Sequence, residues 1–376
     1  MVSDETPGPA ELAAAGLYDV DAADAPQRLA LFEYLVSLGA TLEDLAAANP
    51  DALPLLASTI ALWGDREFVT IEEVARQTGV DPALIARAWR ACGFPEPSLE
   101  TALATFSERD VELIHIMRAG IELLGEDVTV QLLRVIGAAA ARVADATVSA
   151  FVVNVGFRAV EEDPSGLALA RANAESMVML DGLTRGFDTL LRHHMERGFR
   201  PFGAQENADG VDLVQRSVGF ADLVDSTAWS EGLDLHLLAR ALTRFDATAS
   251  EVVVGRGGRV VKLIGDEVMF VANDASTAAD IGLALIDAFA ADEVLPPVRA
   301  GIASGEVLAR DGDFSGPVVN LAARAVKIAS PSTLLVDPAT RDSLDDSPSL
   351  ECSEARTHSL KGFAEPVPLS RVTRTA

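Results

Sequence analysis

DFSGPVVNLAAR, residues 313–324, is the stretch that decides the fold and the chemistry of the C-terminal half. The Gly316-Pro317 step predicts the start of a helix, because proline is favoured in the first helical turn, where its missing N–H costs nothing. Asn320 and Arg324 are then i and i+4 on this helix, so their side chains share one face. An amide donor and a guanidinium on one face can stabilise charge on a phosphoryl group.

Two stretches upstream give this helix a chemical partner. VGFADLVDST (218–227) predicts an apolar strand that delivers Asp222, and GGRVVKLIGDEVMF (257–270) predicts a strand hairpin whose turn presents Asp266. Two carboxylates at the ends of adjacent strands are typical of a site for hard divalent cations, because Mg²⁺ is usually held by one or two carboxylates plus substrate phosphates. A lone aspartate in a turn is more often a cap or a solvated charge, so the prediction depends on the pair.

Lys262 is the third polar group that the hairpin carries. It precedes Asp266 by four residues, and the period of two in a strand predicts that both side chains project to one face. The strand around Lys262 is otherwise apolar, and burying an unpaired ammonium costs several kcal/mol. We therefore expect Lys262 to have a polar acceptor.

The composition limits the class of protein. A length of 376 residues suggests two or three domains, and 49% hydrophobic residues with a mean hydropathy of +0.23 supply ample core. The net charge is −27, with 31 acidic against 15 basic residues in 1–200 and 26 against 15 in 201–376. Neither half is basic, which disfavours binding to nucleic acid or to anionic membranes.

The compartment is predicted from the cysteines and the N-terminus. Cys92 and Cys352 are far apart and match no metal-ligand spacing, which fits inert core residues in a reducing compartment. The N-terminus has neither the basic nor the apolar region of a signal peptide, and no window is expected to approach the roughly 20 apolar residues of a membrane span. We therefore predict a cytoplasmic protein with no membrane span.

The chain is expected to divide near residue 200. RGFRPFGAQENADG (197–210) combines proline, glycines and polar residues, so we predict an all-helical domain at 1–196, a linker at 197–212 and a second domain at 213–376. Helical periodicity in the first domain covers 26–39, 107–124 and 128–155. In the second domain, strand-like runs at 218–224, 259–264, 268–272, 297–303 and 333–336 alternate with helical runs at 235–255, 276–289 and 318–329. Such alternation indicates an α/β sandwich.

Four motifs extend over about residues 216–373. They are F-x-D (Phe220, Asp222), K-x-x-G-D-E (Lys262–Glu267), D-x-x-G-x-x-V-N-x-A-x-R (Asp313–Arg324) and L-K-G-F (Leu360–Phe363). On these motifs the C-terminal half resembles the class III adenylyl cyclases. The resemblance implies a ferredoxin-like (palm-like) βαββαβ catalytic domain, so the expected fold class is α+β or α/β behind an all-α regulatory domain.

The resemblance also implies a role for each motif residue. It implies metal binding by Asp222 and Asp266, with two Mg²⁺ or Mn²⁺ ions per active site, adenine recognition by Lys262 and Asp313, transition-state stabilisation by Asn320 and Arg324, and substrate binding by Phe220 and Lys361. The implied reaction converts ATP to 3′,5′-cyclic AMP and pyrophosphate. Adenine offers an amino donor and a ring acceptor, which match an aspartate and a lysine, whereas guanine inverts both groups.

The resemblance further implies a head-to-tail homodimer with two composite active sites. One subunit would supply the metal aspartates, Lys262 and Asp313, and the other would supply Asn320 and Arg324. The chain holds one complete set, so two symmetric sites and an inactive monomer are expected.

The N-terminal half resembles the all-helical regulatory domains that precede the catalytic domain in some actinobacterial cyclases. Residues 68–95, followed by 106–117, also look like the helix-turn-helix opening of a MerR-type DNA reader. The helix that would read DNA carries only Arg87 and Arg90 in an acidic half, which disfavours that interpretation. A non-catalytic nucleotide-binding or DNA-binding regulator is the alternative to the enzyme.

Two features of the helical half suggest regulation. The run Val148–Val160 is apolar nearly all round, so the helical domain or a dimer mate is expected to bury it, and a gap beside it could hold an apolar, fatty-acid-like ligand. His194 follows Leu183, Phe187 and other apolar residues on one helix face, with His193 on the flank. Because desolvation disfavours the imidazolium, these histidines are candidate regulatory residues in a pH-dependent packing.

Overall fold

The computed structural model describes residues 8–49, 52–64, 69–95, 106–199, 213–345 and 347–375 of the chain. The chain forms two compact units, Met1–Ala204 and Gln205–Ala376. Residues 197–199 of the predicted linker belong to a helix, and residues 200–212 lie outside the described residues. The domain limits 1–196 and 213–376 therefore stay predictions.

The N-terminal unit is helical, as predicted. Its helices are α1 (Pro9–Ala14), α2 (Ala25–Ser37), α3 (Leu42–Ala47), α4 (Leu53–Trp63), α5 (Ile71–Thr78), α6 (Pro82–Ala91), α7 (Glu108–Leu124), α8 (Glu126–Phe151), α9 (Phe157–Glu162) and α10 (Leu167–Phe199), with a π-helical turn Val152–Gly156 between α8 and α9. Among the described residues of this unit, the only β pairing is a bridge between Val69 and Phe106.

Two hydrophobic clusters form the core of this unit. One joins α2, α3 and α4 to the start of α10 around Phe32, Leu45 and Ala170, which are fully buried. The other joins α5 and α6 to α7 and α8 around Ile85 and Met117. Each helix therefore buries only the stripe of its surface that faces one of these clusters.

The long helices α8 and α10 leave apolar surface exposed. Val148, Val153 and Phe157 are each 61% exposed, so the expectation that the chain's own helical domain buries the run Val148–Val160 is wrong. On α10, Phe187 and Leu190 are exposed as well. A dimer mate or a ligand therefore remains to cover this surface. Single exposed apolar residues are common in proteins, but an exposed apolar patch is typical of an interaction site.

The segment Glu126–Glu162 corrects a second expectation. It is the one helical segment of the described residues that is long and apolar enough to cross a membrane by length and composition, with a hydropathy of 1.5 over its best window, of which 6% is buried. Its longest stretch without a charged residue is Ala146–Phe157, 12 residues. As a helix this stretch spans about 18 Å, less than the roughly 30 Å of a hydrocarbon core.

The C-terminal unit is a mixed sheet covered by helices. Its elements are β1 (Leu213–Leu223), α11 (Ser226–Ser230), α12 (Leu235–Gly255), β2 (Arg259–Ile264), β3 (Glu267–Ala272), α13 (Ala275–Ala290), β4 (Val298–Arg310), β5 (Asp313–Ser315), α14 (Pro317–Ile328), β6 (Leu334–Val336), α15 (Pro338–Leu344), β7 (Leu350–Cys352), β8 (Arg356–His358) and β9 (Val367–Arg374).

The sheet order confirms the ferredoxin-like fold. The strands run β2-β3-β1-β4-β6-β9-β7, with β5 paired to β4 and β8 paired to β9. The first four strands alternate with α12 and α13 in the order βαββαβ, and their arrangement in the sheet is 4-1-3-2. Strand β6 adds parallel to β4 and extends the sheet on that side.

Residues 217–223 of β1 are buried on both faces of the sheet, which fits the apolar run at 218–221. Ala221 and Leu223 face the core that α12 and α13 form, whereas Val218 and Phe220 belong to the core beneath α14. Asp222 shares the α14 face with Val218 and Phe220, because alternate residues of a strand point the same way.

Helix α14 rests directly on β4. A Cβ atom at Gly301 would lie 2.4 Å from the backbone nitrogen of Val326 and 2.9 Å from the carbonyl oxygen of Ala322. Only glycine leaves room for this approach of helix backbone to strand. The position of α14, which carries Asn320 and Arg324, is therefore set by a backbone contact.

Candidate active site

Strand pairing brings the two predicted metal aspartates to one end of the sheet. Asp222 is opposite Glu267 in the β1–β3 ladder, and the amide N–H of Leu223 donates to the carbonyl oxygen of Asp266 at 3.2 Å. The turn of the β2–β3 hairpin is thereby held against the end of β1. Asp222 is buried and Asp266, in the turn, is half-buried.

Two cations that the sequence analysis did not identify hold the Asp222 carboxylate. Arg299, its partner in the β1–β4 ladder, donates from Nε at 3.1 Å and from Nη2 at 2.7 Å to Oδ2. Lys327, in the last turn of α14, donates from Nζ to Oδ1 at 3.0 Å. A buried charge needs such compensation, because isolating it from water is costly.

Lys327 bridges two carboxylates. Besides Asp222, its Nζ lies 2.6 Å from Oε2 of Glu267, which makes this contact an ion pair although its angles fall outside those of a hydrogen bond. Burial lowers the pKa of Lys327, but its contacts with Glu267 and Asp222 outweigh burial, so the pKa stands above its usual value. The ammonium is therefore charged at neutral pH.

Lys262 has the acceptor that its apolar strand requires. Its Nζ lies 2.5 Å from Oδ2 of Asp313, at the start of β5. Burial raises the pKa of Asp313, but the bond from Lys262 and the backbone N–H of Phe314 outweigh burial, so the pKa falls below its usual value. Asp313 is thus an ionised acceptor beside a lysine donor.

The strand-period argument that linked Lys262 to Asp266 is wrong. The β2–β3 register shifts between Val260 and Lys262, and β2 ends at Ile264, so Asp266 belongs to the turn that follows. The period of two therefore does not extend from Lys262 to Asp266. Lys262 itself pairs with Asp313.

Arg259 is a further cation at this pair that sequence reasoning missed. Its guanidinium lies 5.0 Å from the centroid of the Phe314 ring, within the range of a cation–π contact. Its Nη1 donates to the carbonyl oxygen of Gly312 at 3.4 Å. Burial and the nearby charge of Arg216 lower the pKa of Arg259.

Asn320 and Arg324 lie on the exposed face of α14. The helix begins at Pro317, as predicted, and buries Ala322, Ala325 and Val326 against the sheet. Asn320 and Arg324 are exposed and four residues apart, so one face presents the amide and the guanidinium together. That face is accessible to a second molecule.

Phe220 and Lys361 are placed differently from the other motif residues. Phe220 is 4% exposed and packs with Met269 and Val326 in the core beneath α14, so its observed role is packing. A substrate contact through its side chain would require this core to open. Lys361 lies in an exposed turn between β8 and β9, where Gly362 has a φ of +90°.

The use of lysine offers a signal that could have identified Lys327. The chain has three lysines, Lys262, Lys327 and Lys361, against 27 arginines, and all three lie in the C-terminal half. Two of them are motif residues. Lysine and arginine are not interchangeable at sites that need a compact and displaceable charge, so the rarity of lysine marks the third one as a candidate site residue too.

The candidate regulatory histidines are both exposed. His193 and His194 lie near the C-terminal end of α10, and the apolar face that His194 was expected to share is itself exposed at Leu183 and Phe187. On the same helix, Arg192 donates to Asp188 at 2.9 Å.

The helix-turn-helix interpretation loses its main basic residue. Helices α5 and α6 have that arrangement, with Gly79 in the left-handed conformation at the end of α5. Arg87 of α6, however, pairs with Glu126 and also contacts Asp127 at 2.9 Å. The two carboxylates neutralise the Arg87 guanidinium and occupy its donors, so it is not free to bind a DNA phosphate. The structure therefore disfavours DNA binding through α6.

The donor set at the sheet end fits a hard cation. Among the described residues, no group of three or more His, Cys, Asp and Glu side chains could hold a metal by itself. Asp222 and Asp266 supply carboxylate oxygens from two chain segments held together by the Leu223 bond. Mg²⁺ is commonly bound in this way, with water and substrate phosphates as its remaining ligands.

A ferredoxin-like sheet with two strand-end aspartates and an exposed helix face that carries Asn320 and Arg324 is the arrangement expected for a nucleotide cyclase domain. Comparison with known proteins agrees with this class. Residues 11–195 match the adenylate cyclase regulatory domain family. An adenylate cyclase of Streptomyces coelicolor is 33% identical over 83% of this chain and 81% of its own length.

Two mycobacterial relatives extend over most of the chain. An uncharacterised protein of Mycobacterium tuberculosis is 35% identical over 91% of this chain and 89% of its own length. A pH-sensitive adenylate cyclase of the same species is 30% identical over 93% of this chain and 89% of its own length. The chain belongs to the class III adenylate cyclases that carry this regulatory domain.

Proposed function

We propose that the chain converts ATP to 3′,5′-cyclic AMP and pyrophosphate. The observation that carries the proposal is the ion pair between Lys262 and Asp313, which holds a donor and an acceptor 2.5 Å apart in the same unit as the strand-end carboxylates. The relatives named adenylate cyclases in Streptomyces and Mycobacterium support the same activity.

The pair favours adenine over guanine. In the ion pair, the Lys262 ammonium and the Asp313 carboxylate partly satisfy each other's hydrogen-bonding capacity. A base that separates them must offer an acceptor to Lys262 and a donor to Asp313. Adenine can give its amino N–H to Asp313 and accept from Lys262 on its ring nitrogen. Guanine would set a carbonyl against the carboxylate and an N–H against the ammonium, and unpaired buried polar groups are costly.

The reaction is an in-line displacement at phosphorus. The ribose 3′-oxygen attacks the α-phosphorus, the bond from that phosphorus to the bridging oxygen breaks, pyrophosphate leaves and the proton of the 3′-OH passes to water. Asp222 and Asp266 would hold two Mg²⁺ or Mn²⁺ ions, which when bound acidify the 3′-OH and neutralise the triphosphate. Asn320 and Arg324 donate hydrogen bonds to the oxygens that gain charge in the transition state.

Two chains supply each active site. The exposed face of α14 carries Asn320 and Arg324, whereas Lys262 and Asp313 lie at the β2 and β5 strands of the same unit. In a head-to-tail homodimer the α14 face of one subunit completes the site of the other. The exposed apolar surface of α8 and α10 also supports association, because a monomer would leave it in water.

A nucleotide-turnover assay tests the proposed function. Purified protein with ATP and Mn²⁺ should form cyclic AMP, and GTP should be turned over at least about 10²-fold less efficiently. Asp222→Asn should abolish the reaction, whereas Arg341→Met, on α15 and paired only locally with Asp342, should retain it. A protein that binds ATP without forming cyclic AMP under these conditions would be a regulator, not an enzyme.

We also propose that the helical unit regulates the reaction and binds an apolar ligand. A cavity of about 1210 Å³ lies between α4, the α8–α9 region and α10, with Leu62, Phe151 and Leu183 among its lining residues. Its lining is almost entirely apolar, which favours an acyl chain over a polar effector. Organic extracts of the purified protein should contain a bound fatty-acid-like molecule in mass spectrometry, and extracts of a Phe151→Arg variant should contain less.

A further inference from the structure

We infer that Lys327 is a tethered cation that competes with the divalent metal for Asp222 and thereby sets the metal concentration that the site requires. The inference deepens the proposed function, since it rests on Asp222 being a metal ligand. Lys327 is a positioning residue: it acts through Asp222 and Glu267 and not on the substrate.

The two oxygens of Asp222 are engaged differently. Oδ2 accepts two bonds from Arg299, whose third donor, Nη1, bonds the carbonyl oxygen of Lys327 at 3.2 Å. The Arg299 guanidinium makes three hydrogen bonds, so several of them would break at once if it moved. Oδ1 accepts from the Lys327 ammonium at 3.0 Å, and Arg299 donates only to the other oxygen. A metal that binds Asp222 without disturbing Arg299 therefore binds at Oδ1, where its charge repels the Lys327 ammonium.

Lys327 is the cation that can leave. Its side chain is 48% exposed, although the Asp222 carboxylate that it contacts is only 5% exposed. A lysine on a flexible stem can swing its ammonium into water. Arg299, with a side chain 24% exposed and a carbonyl to hold it, is less able to do so.

The second contact of Lys327 makes the competition specific to this end of the sheet. Its Nζ also lies 2.6 Å from Glu267, which follows Asp266 in the chain. One ammonium therefore offsets negative charge on both Asp222 and Glu267. A divalent cation supplies twice that charge, so it can displace the ammonium, but at an affinity below that of the same carboxylates without Lys327.

Direct metal binding tests the inference. Free Mn²⁺ is titrated by electron paramagnetic resonance against the full-length protein without nucleotide. Lys327→Met keeps the length of the stem and removes the charge, so Mn²⁺ should bind at least about threefold more tightly than in the unchanged protein. Lys327→Arg, which keeps the charge, should stay near the unchanged protein, and Arg341→Met is the matched control for loss of a distant surface cation.

A second measurement needs no variant. The chain has three lysines, so brief acetylation followed by peptide mass spectrometry reports on each amine separately. Mn²⁺ should increase the reactivity of Lys327 at least about threefold, since an amine that has left the two carboxylates is more accessible to the reagent. The Mn²⁺ concentration that gives half of this increase should equal the concentration that gives half-maximal Mn²⁺ binding. The reactivity of Lys361 should not change.

The outcomes separate this inference from the proposed function. A protein that makes cyclic AMP but binds Mn²⁺ with equal or lower affinity after Lys327→Met would overturn the inference alone. If Mn²⁺ does not change the reactivity of Lys327, the inference is overturned as well. This measurement uses the unchanged protein, so it holds even if the variants fold poorly. A protein that makes no cyclic AMP with any divalent metal would overturn the proposed function, whatever the metal titrations give.

Discussion

Lys262 and Asp313 form the ion pair on which the proposed choice of base depends. The two residues are 51 positions apart in the chain: Lys262 lies on the edge strand β2, and Asp313 begins β5, which pairs with β4. The pair holds an ionised acceptor and a donor ready for a base of matching polarity. Exchanging the polarity of the pair should therefore change which base fits.

The first prediction follows from that polarity. The double variant Lys262→Glu with Asp313→Cys should lose ATP turnover by about 10²-fold or more, because each exchanged group leaves a buried polar partner unsatisfied. Cyclic AMP formation under saturating Mn²⁺ measures the loss. Arg341→Glu with Asp342→Cys makes the same chemical changes in a surface pair on α15 and should retain activity. Undiminished turnover in the first variant would remove the pair from base recognition.

The sequence indicated the motif residues but not their neighbours. Asp222, Asp266, Lys262 and Asp313 could be found because each stands in a local pattern of strand, turn or helix start. Arg299 could not, since its partner Asp222 is 77 residues away and nothing local distinguishes this arginine from a solvated strand residue. Contacts across a sheet depend on register, which periodicity alone does not specify.

At the scale of elements, the sequence predicted the limits of a helix with a clear period and a cap, but it did not predict very short strands. Helix α12, Leu235–Gly255, has the predicted limits, and Asp234 caps it by accepting from the N–H of Leu237 at 2.8 Å. Strands β7 and β8 were not predicted, because three residues are too few to display a period of two. The bulge in β2 was not predicted because an inserted residue interrupts that same period.

The second prediction concerns the contact between β4 and the backbone of α14. Gly301→Ala places a methyl group against the helix backbone at Val326, so α14 must shift or the strand must bend. Overpacking of this kind costs about 1–3 kcal/mol, and a shifted α14 misplaces Asn320 and Arg324. We expect a lower midpoint of thermal unfolding for the C-terminal unit and a clear loss of cyclic AMP formation.

A matched glycine controls for this substitution. Gly255, at the end of α12, lies in the helical region, and a methyl group added there would have no heavy atom within 4 Å. Gly255→Ala should leave activity unchanged and stability equal or slightly higher, because alanine is the better helix former by about 1 kcal/mol. Equal behaviour of the two variants would contradict the close contact at Gly301.

At the scale of the whole molecule, the third prediction tests composite sites. Asp222→Ala and Arg324→Ala should each inactivate a homodimer, since every site lacks one required group. Mixing the two chains should restore activity, because one of the two sites in a heterodimer contains only intact residues. Up to about one quarter of the unchanged activity is expected when half of the dimers are mixed and each has one intact site.

Heterodimer formation must be measured in the same sample. Two affinity tags allow the mixed dimers to be isolated before the assay, and mixing two portions of the Asp222→Ala chain provides the inactive control. Mixed dimers that stay inactive would show that each chain holds its own complete site, and that the exposed face of α14 does not act on a partner.

The last prediction concerns pH and the helical unit. His193 and His194 are exposed near the end of α10, beside an apolar face that is exposed too, so association of this surface with a partner would remove them from water. Desolvation disfavours the imidazolium. The packed arrangement should therefore be favoured at higher pH and weaken in mild acid. The charged groups of α10 near these residues are Asp188, Arg192, Glu196 and Arg197, and Arg192 already pairs with Asp188.

Activity between pH 5.5 and 8 distinguishes a pH switch from ordinary surface histidines. If the packed arrangement is inhibited, mild acid should raise the activity of the full-length protein; if it is the active one, mild acid should lower it. The catalytic unit alone, residues 205–376, lacks both histidines and provides the reference profile. A full-length variant with His193→Gln and His194→Gln keeps the helical unit and should follow that reference in shape. Identical profiles for the unchanged full-length protein and the catalytic unit would mean that neither histidine controls the enzyme.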